Sequence, residues 1–439
     1  MAKTLFEGGA SAVLFLDQRQ FYPTPEEVAE LWSDMFPFST VMENLQIKDT
    51  DDALYKMFEN ESDFYKQEFT TTTALTIAAN GTESSALTIG NQVGLSSTVG
   101  SSYLGLVCEI WNSTKTTKRG LVVITTASTT IACKTLKAEA ITTVSGDYFI
   151  VVGRIRGEGS VALVAPIKNL SVVWNSTAYI SDSAEITGDI AAAAKLRGYS
   201  DEMAFQRQEM FRRYKNFTEQ MLTKSVSTVG TNFDGSGTFS EASLRTIADA
   251  NSVTGALRTT YGYIPILEDF GVTYDGTGAL SEDTNIFKIP GADISYNDYI
   301  KYCEIMFDKR DMDEALAFSG RSHITTIAQR VADGDKKFGW AGKMQLGDQQ
   351  WNKLGFSMRA LETNHGVLWF VPTKSLRNAY KNWSLIPNLD HIGIARFRPD
   401  EYKNDVKQDD DYDGVKDTMK CSKGLWMRLL KSHHIVQFT

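Results

Sequence analysis

One stretch of the chain, residues 68–180, limits the possible folds more than any other. It is rich in Thr, Ser, Val, Ala and Gly and has almost no helix signals. Runs at 74–78 (ALTIA), 121–125 (LVVIT) and 148–152 (YFIVV) are rich in β-branched or aromatic residues, which favour strands. Several short strands at this spacing predict a small all-β sandwich or barrel, which we place at residues 66–182.

The preceding segment, residues 1–65, has the character of an arm with short helices. A capping pattern at 24–27 (TPEE) predicts a helix that is ended by 36–38 (FPF), and a second helix is expected over 52–58. The arm either covers the β unit or packs on another subunit. Its aromatic side chains are predicted anchors for a neighbouring copy: Phe15, Phe21, Tyr22, Trp32, Phe36 and Phe38.

Residues 183–237 combine helical composition with a basic, aromatic cluster. Helices are expected over 186–196 and 201–222, and a flexible loop follows at 231–237. The cluster could contact nucleic acid, contact an acidic neighbour, or form a solvated helical face, and we favour contact with another copy of the chain. The predicted interface residues are Arg207, Arg212, Arg213, Tyr214 and Phe217.

The remaining residues, 238–439, mix helices with strands. An amphipathic helix is predicted over 295–309, and a pair of strands over 356–371, where Asn364-His365-Gly366 supplies a turn. A short helix is expected at 375–383 and a last strand within 425–438. The fold class is therefore α+β with an inserted all-β domain.

The overall charge and the cysteines exclude several classes of protein. The formal net charge of -9 and pI of about 5.3 argue against a general nucleic-acid binder. The four cysteines form no C-x-x-C pair, so we expect neither structural disulfides nor a zinc site. We find no signal peptide and no apolar run of membrane-spanning length, and we expect synthesis and assembly in a cytosol without membrane contact.

Candidate chemistry in the sequence is sparse. The five histidines form no H-x-x-x-H pattern, and no nucleophile elbow or phosphate loop is present, so we expect no enzyme and no cofactor. Asp409, Asp411 and Asp413 match the first half of a calcium-binding loop. Lys420 occupies the position that needs a bidentate Glu, which favours a solvated acidic loop instead.

The order of several motifs resembles the major capsid proteins of tailed bacteriophages, which have the Hong Kong 97-like fold. The motifs are 36–42 (FPFSTVM) with the acidic segment after it, 214–220 (YKNFTEQ) leading to 225–230 (SVSTVG), and 255–264 (GALRTTYGYI). The strand pair and a terminal strand ending in His433-His434-Ile435 follow in the family's order. Glu219 and Tyr261 depart from the family pattern.

The resemblance implies a structural role. Copies would form hexamers and pentamers of an icosahedral shell that encloses a double-stranded DNA genome without reading its sequence. The arm and an extended loop near 200–237 would reach neighbours, and 238–439 would supply the peripheral and axial domains. Portal, scaffold and decoration proteins are the other partners implied, and the virion is the implied location.

A different class also fits a β-rich insertion. A phage tail, baseplate or surface protein could bind carbohydrate through the β unit. Such a site needs an exposed Trp or Tyr, and Trp111 and Trp174 are the tryptophan candidates.

Overall fold

The chain forms two compact units. A computed structural model describes residues 36–59, 67–79, 81–84, 86–93, 95, 101–156, 158, 171–187, 202–226, 258–277, 280–289, 296–310, 313–337, 346–347, 359–404 and 414–439. One unit, the two-segment unit, comprises Met1–Glu59 and Val172–Thr439. The other, the middle unit, comprises Asn60–Ser171. The predicted β domain was placed at 66–182, but residues 172–182 belong to the two-segment unit, where they pair with its strands.

The middle unit contains only strands and one short 3-10 turn among its described residues. Its strands are β3 (Glu68–Thr71), β4 (Leu75–Ile77), β5 (Ile89–Val93), β6 (Leu106–Trp111), β7 (Lys118–Ala127), β8 (Ile131–Thr135), β9 (Ile141–Thr143) and β10 (Tyr148–Arg154). Six of them form an antiparallel sheet in the order β5-β3-β10-β6-β7-β8, and β4 pairs with β9. The strands predicted at 74–78, 121–125 and 148–152 are confirmed.

Alternating side chains build the core of the middle unit. Phe69 and Phe149 stack at 4.9 Å between ring centroids, and Tyr103 meets Phe69 edge to face at 5.8 Å. A turn before β10 has Gly146 at φ +91°, a conformation that glycine adopts without steric cost. The buried Asp147 carboxyl then accepts from the backbone N–H of Val144 at 2.7 Å. A residue with a short acceptor side chain is therefore suited to the position after the glycine.

The two-segment unit contains the helices that the structure describes. They are α1 (Pro37–Leu45), α2 (Glu202–Lys224), α3 (Tyr263–Phe270), α4 (Tyr296–Asp308) and α5 (Arg321–Lys337). Its strands are β1 (Ile47–Asp49), β2 (Leu54–Glu59), β11 (Ser171–Ser176), β12 (Ala178–Thr187), β13 (Val272–Tyr274), β14 (Thr284–Ile289), β15 (Glu314–Ser319), β16 (Leu346–Gly347), β17 (Arg359–Glu362), β18 (Val367–Pro372), β19 (Trp383–Ile386), β20 (Ile392–Lys403), β21 (Gly414–Met427) and β22 (His434–Phe438).

A mixed eight-stranded sheet carries two cores, one on each face. Its order is β13-β14-β22-β19-β15-β18-β17-β16. Successive residues of a strand point to opposite faces, so Ile286 and Ile435 join one core while Phe287 and Val436 join the other. The first core includes side chains of α1 and α3. The second includes the apolar stripe of α4 and Ile327 of α5.

A four-stranded sheet, in the order β1-β20-β21-β12, supports the long helix α2. β12 pairs with β21 over its full length, from Ala178 opposite Lys423 to Thr187 opposite Gly414. The residues of β12 at even positions face α2, where Ala184 and Ile186 pack with Met203 and Met210. α2 confirms the helix predicted at 201–222. It also shows that 202–224 is not an extended loop.

Several local predictions were wrong. Residues 36–38 begin α1 instead of only ending a helix, because Pro37 occupies a first-turn position that needs no N–H. Residues 54–59 are strand β2, not a helix, and pair with β11. The expected helix at 375–383 is reduced to a 3-10 turn at Asn378–Tyr380. By contrast, the last strand expected within 425–438 is confirmed as β22, while the first residues of that range, up to Met427, belong to β21.

Two further properties concern the whole chain. All four cysteines are free and buried, and burial raises the pKa of the Cys133 and Cys303 thiols to about 12. Within the described ranges, no helix combines the length and the apolar character needed to cross a membrane.

Candidate assembly surface

A buried carboxyl of α2 caps the N-terminus of α1. Phe36, which precedes α1, provides no capping side chain. The backbone N–H of Ser39 instead donates to Oε2 of Glu219 at 2.6 Å, and the Ser375 hydroxyl donates to Oε1 at 3.1 Å. The carboxyl therefore satisfies a backbone N–H that has no partner within its own helix. Burial raises the pKa of Glu219, although these hydrogen bonds oppose the shift.

A second polar cluster joins α1, α2 and the β20–β21 hairpin. Lys423 Nζ donates to Glu43 Oε1 at 2.8 Å and to Asp400 Oδ2 at 2.7 Å. The Tyr214 hydroxyl donates to the other oxygen of Asp400 at 2.5 Å. Burial lowers the pKa of Lys423, but the two carboxylates outweigh it and the net shift is upward. The ammonium group therefore stays charged in its buried position.

A third cluster fixes the first half of α2 to the hairpin. Asp417 is wholly buried and accepts from Arg207 Nε and from the Tyr402 hydroxyl, the latter at 2.6 Å. Arg213 Nε donates to Asp182 at 3.1 Å. With the second cluster, these bonds hold α2 to three strands, β12, β20 and β21. The helix is consequently a fixed part of the unit.

The outer side of α2 carries a groove, which we call the helix groove. Its volume is about 340 Å³, and its lining residues are Ala204, Arg207, Gln208, Phe211, Arg212 and Lys215. Arg212 forms an ion pair with Glu209 along the helix. Phe217, two residues beyond the groove, is 43% exposed. Phe217 follows Arg213 by four residues and lies on that side of α2, whereas Lys215 and the groove lie on another side, so the helix exposes an aromatic ring and a basic groove on two different faces.

The predicted interface residues fall into three groups. Phe15, Phe21, Tyr22 and Trp32 lie outside the described residues. Phe36 is half-buried, but Phe38 is fully buried between Tyr263 and Phe318. The Phe38 side chain is thus a core residue of its own chain, which corrects its assignment as an anchor for a neighbour. The other predicted residues, Arg207, Arg212, Arg213, Tyr214 and Phe217, share α2.

Within this α2 group, the structure separates two roles. Tyr214 is almost completely buried against Ala178, Ile180 and Cys421, so its ring serves internal packing. Arg207 and Arg213 bind carboxylates of the same unit while remaining partly exposed. Phe217 has the largest exposed apolar surface of the group. A contact between copies remains a prediction for Arg207, Arg212, Arg213 and Phe217.

Sequence reasoning missed Glu219 as a structural group. A sequence pattern that indicates burial near Glu219 was present: Tyr214, Thr218 and Leu222 recur at four-residue spacing and mark the buried face of α2. Glu219 lies next to this stripe and three residues before Leu222. A carboxyl at such a position has to find buried donors.

The other candidate residues are the predicted calcium ligands and the two tryptophans considered for carbohydrate binding. The proposed calcium ligands Asp409, Asp411 and Asp413 lie outside the described residues. No group of His, Cys, Asp or Glu within the described ranges could hold a metal ion. Trp111 is half-buried and donates to Glu109, and Trp174 is half-buried with Lys56 4.1 Å from its ring centroid. Trp174 belongs to the two-segment unit, so it is not part of the β unit proposed for carbohydrate.

Comparisons with known proteins were made by sequence and by structure. No family model and no curated protein matches the sequence. Among solved structures, the capsid of a native GTA particle matches with a TM-score of 0.44 and 6% identity over 95% of each chain. A structure of Mycobacterium phage Cain matches with a TM-score of 0.37 and 8% identity over 98% of each chain. The SrpI encapsulin of Synechococcus elongatus PCC 7942 matches over 62% of this chain and 76% of its own, with a TM-score of 0.34 and 8% identity.

The solved structures that resemble this chain thus include capsids and an encapsulin. The order of sequence motifs also resembles phage capsid proteins. Identities and TM-scores this low do not establish a function for this chain.

Proposed function

We propose that the chain is a structural capsid protein with a Hong Kong 97-like fold. Many copies self-assemble into hexamers and pentamers, which form an icosahedral shell around a double-stranded DNA genome. The protein performs no catalysis and requires no cofactor. Its location is the virion, after assembly in a host cytoplasm.

The observation that carries this proposal is the exposed surface of α2, which has the helix groove on one side and Phe217 on another. The helix is held to the sheet by Asp417, Asp182 and the Lys423 cluster, yet Phe217 is 43% exposed and Phe211 lines an open groove. A fixed helix that exposes aromatic and basic groups loses little conformational entropy when it binds. Aromatic and arginine side chains are also the groups that dominate interfaces.

The charge distribution supports contact with another copy over contact with DNA. The chain has 54 acidic and 45 basic residues and a net charge of -9, so the chain as a whole repels a phosphate backbone. In the helix groove, Arg207 and Arg212 bind carboxylates of their own unit, and Lys215 adds an exposed cation. This groove can contact carboxylates of a neighbour, while the packaged DNA is enclosed without sequence-specific contacts.

The remaining partners follow from the same role. We also propose that the predicted N-terminal arm contacts a neighbouring copy, and that the middle unit lies on the shell surface, where decoration proteins can bind. Portal and scaffold proteins act during assembly.

Sedimentation velocity of the purified full chain tests the proposal. We expect species of at least five or six copies to grow with protein concentration, and high salt to shift the distribution toward monomer because the α2 contacts are partly ionic. A chain that sediments as a monomer at every concentration would contradict a self-assembling role. A carbohydrate-binding protein would instead be expected to bind glycan arrays without such growth.

A further inference from the structure

A second basic site lies on the two-segment unit, and it shares no lining residue with the helix groove. It is a cavity of about 220 Å³ at the start of α5, and we call it the basic pocket. Four cationic side chains line it, together with two hydroxyls: Arg321, Lys374, Arg377, Lys381, Ser322 and Thr373. None of these residues is a predicted interface residue, and none lines the helix groove.

Backbone contacts hold the walls of the basic pocket in place. The N–H of Gly320 donates to the carbonyl of Trp383 at 2.9 Å, and the N–H of Thr373 donates to the carbonyl of Ser319 at 2.9 Å. A Cβ at position 320 would collide with the carbonyl of Lys381. Glycine at that position therefore lets the segment bearing Lys381 lie directly against the start of α5.

Side-chain contacts fix the segment 374–380, which forms another wall of the basic pocket. Lys224 Nζ donates to the carbonyl of Ser375 at 2.7 Å and lies 4.7 Å from the ring centroid of Tyr380. Arg377 Nε donates to the carbonyl of Lys374 at 2.7 Å. Asn378 follows at φ +54°, a left-handed conformation that Asn tolerates well. The turn is thus fixed with Arg377 and Lys374 beside the cavity.

The basic pocket concentrates positive charge on an acidic protein. Arg321 and Lys381 are exposed, and neither forms an ion pair with a residue of the described ranges. Burial lowers the pKa of Lys224, and the neighbouring Arg377 guanidinium lowers it further, as expected where cations are close together. Such a group of cations favours an anionic partner.

We propose that the basic pocket binds carboxylate side chains of a second copy of this chain. The inference rests on the proposed shell function and identifies one of its contacts. Copies arranged in rings meet through two different surfaces, so a basic site on one copy faces a different region of the next. The chain has 54 acidic and 45 basic residues, so a neighbouring copy offers more carboxylates than cations, which makes it a complementary partner for a basic pocket.

Charge reversal in the full chain tests the pocket directly. The pocket variant carries Arg321→Glu and Lys381→Glu. The control carries Lys137→Glu and Lys301→Glu, two exposed lysines outside the pocket, so each variant replaces two positive charges with two negative charges and changes the net charge from -9 to -13. We expect the pocket variant to need a roughly tenfold or higher protein concentration to assemble, whereas the control assembles like the wild type. Circular dichroism and thermal unfolding verify that both variants are folded.

Zero-length carbodiimide cross-linking supplies a second measurement on the wild type, which no folding defect can confound. Assemblies are prepared from an equal mixture of unlabelled and ¹⁵N-labelled chains. The proposal predicts peptides in which Lys381 or Lys374 of one isotope is joined to an Asp or Glu of the other. Cross-links of these lysines only within one isotope would overturn it.

The outcomes separate this inference from the proposed function. If the wild type and the pocket variant assemble at the same concentration, the pocket contact is wrong and the shell function stands. If the wild type never assembles, both are wrong. If a short duplex DNA binds the wild type and not the pocket variant, while isotope-mixed cross-links are absent, the pocket is a phosphate site and contact with a second copy is overturned.

Discussion

Ser39 and Glu219 are separated by 180 residues in sequence, yet the Ser39 N–H donates to the Glu219 carboxyl at 2.6 Å. This bond joins the first described helix, α1, to the long helix α2, and the Ser375 hydroxyl extends it to a third segment. The three segments converge on a single buried group. The structure thereby explains how residues before the middle unit are integrated with residues after it.

The first prediction concerns Glu219 itself. Glu219→Ala leaves the Ser39 N–H and the Ser375 hydroxyl without their acceptor, and we expect a loss of about 1–3 kcal/mol in the free energy of unfolding. Urea denaturation of the full chain, followed by tryptophan fluorescence, measures it. Glu219→Gln keeps one acceptor oxygen and is expected to lose less. The control Glu209→Gln, on the exposed side of the same helix, is expected to cost a few tenths of a kcal/mol.

The pH dependence of Glu219 has a definite sign. Its pKa is raised in the folded protein, so its contribution to stability is present below the unfolded-state pKa of about 4.5 and is lost as pH rises toward the folded value. Glu219→Gln removes this contribution. A variant that loses stability with rising pH just as the wild type does would show that Glu219 is not buried as described.

The second prediction concerns Asp417, which accepts from Arg207 and Tyr402 with no exposed surface of its own. Asp417→Asn removes the charge that Arg207 binds, and because Arg207 is partly exposed we expect a moderate cost of about 1–3 kcal/mol. Denaturation midpoints report it. Asp49→Asn, which breaks the exposed pair with Arg396, serves as the control and should not change the midpoint measurably. Equal effects of the two substitutions would contradict a role for Asp417 in fixing α2.

The third prediction is acid destabilisation through buried histidines. His323 donates from Nδ1 to the carbonyl of Asn382 at 2.9 Å, and its ring stacks on Phe438 at 4.1 Å. Burial lowers its pKa from 6.5 to about 4. As pH falls below 6.5, the unfolded chain binds a proton that the folded chain excludes, so stability is lost between pH 6.5 and 4.

Replacing His323 isolates its share of that loss. The full shift corresponds to about 3 kcal/mol between pH 7 and pH 4. His323→Phe keeps the stacking but cannot be protonated, so its stability should fall less steeply over this range, even if it is lower at pH 7. Urea denaturation at pH 7, 5.5 and 4.5 provides the comparison. Parallel pH profiles of variant and wild type would exclude His323 as a contributor.

The fourth prediction concerns the exposed aromatic ring of α2. Phe217→Ser should raise the concentration needed for assembly roughly tenfold or more, because exposed aromatic anchors contribute strongly when they become buried in an interface. Stability of the isolated chain should fall by no more than about 1–2 kcal/mol, since only part of the ring is buried at 43% exposure. Phe58→Ser, at a site 56% exposed on β2, is the matched control. Assembly that responds equally to both would argue against a specific contact at α2.

Much of the fold follows from local patterns. Strands of the middle unit were predictable because Val, Ile, Thr and aromatic residues alternate between turn residues. The stripe of α4 was predictable because Tyr299, Cys303 and Met306 recur at helical spacing, and all three are buried. These signals lie within single elements, so no knowledge of distant contacts was needed.

Other features depend on partners far away in sequence. Residues 54–59 contain helix-favouring types, but burial of Tyr55 and Met57 alternates with exposure of Lys56 and Phe58, and pairing with β11 imposes a strand. Phe38 was predicted to anchor a neighbour because the arm itself offers little for its ring to pack on. The prediction is wrong because its pocket, between Tyr263 and Phe318, is formed by residues much later in the chain.

The candidate sites show the same division. The basic residues of α2 stood out because they are close in sequence. The cluster of Arg321, Lys374, Arg377 and Lys381 did not. Three of these residues lie within 374–381, and the pairing of β15 with β18 brings Arg321 beside them.

Negative-stain electron microscopy of the purified full chain, over a range of concentrations and with or without a co-expressed scaffold protein, tests the central claim most directly. Our account predicts closed shells, tubes, or rings with five-fold or six-fold symmetry. Uniform monomers under every condition would contradict it.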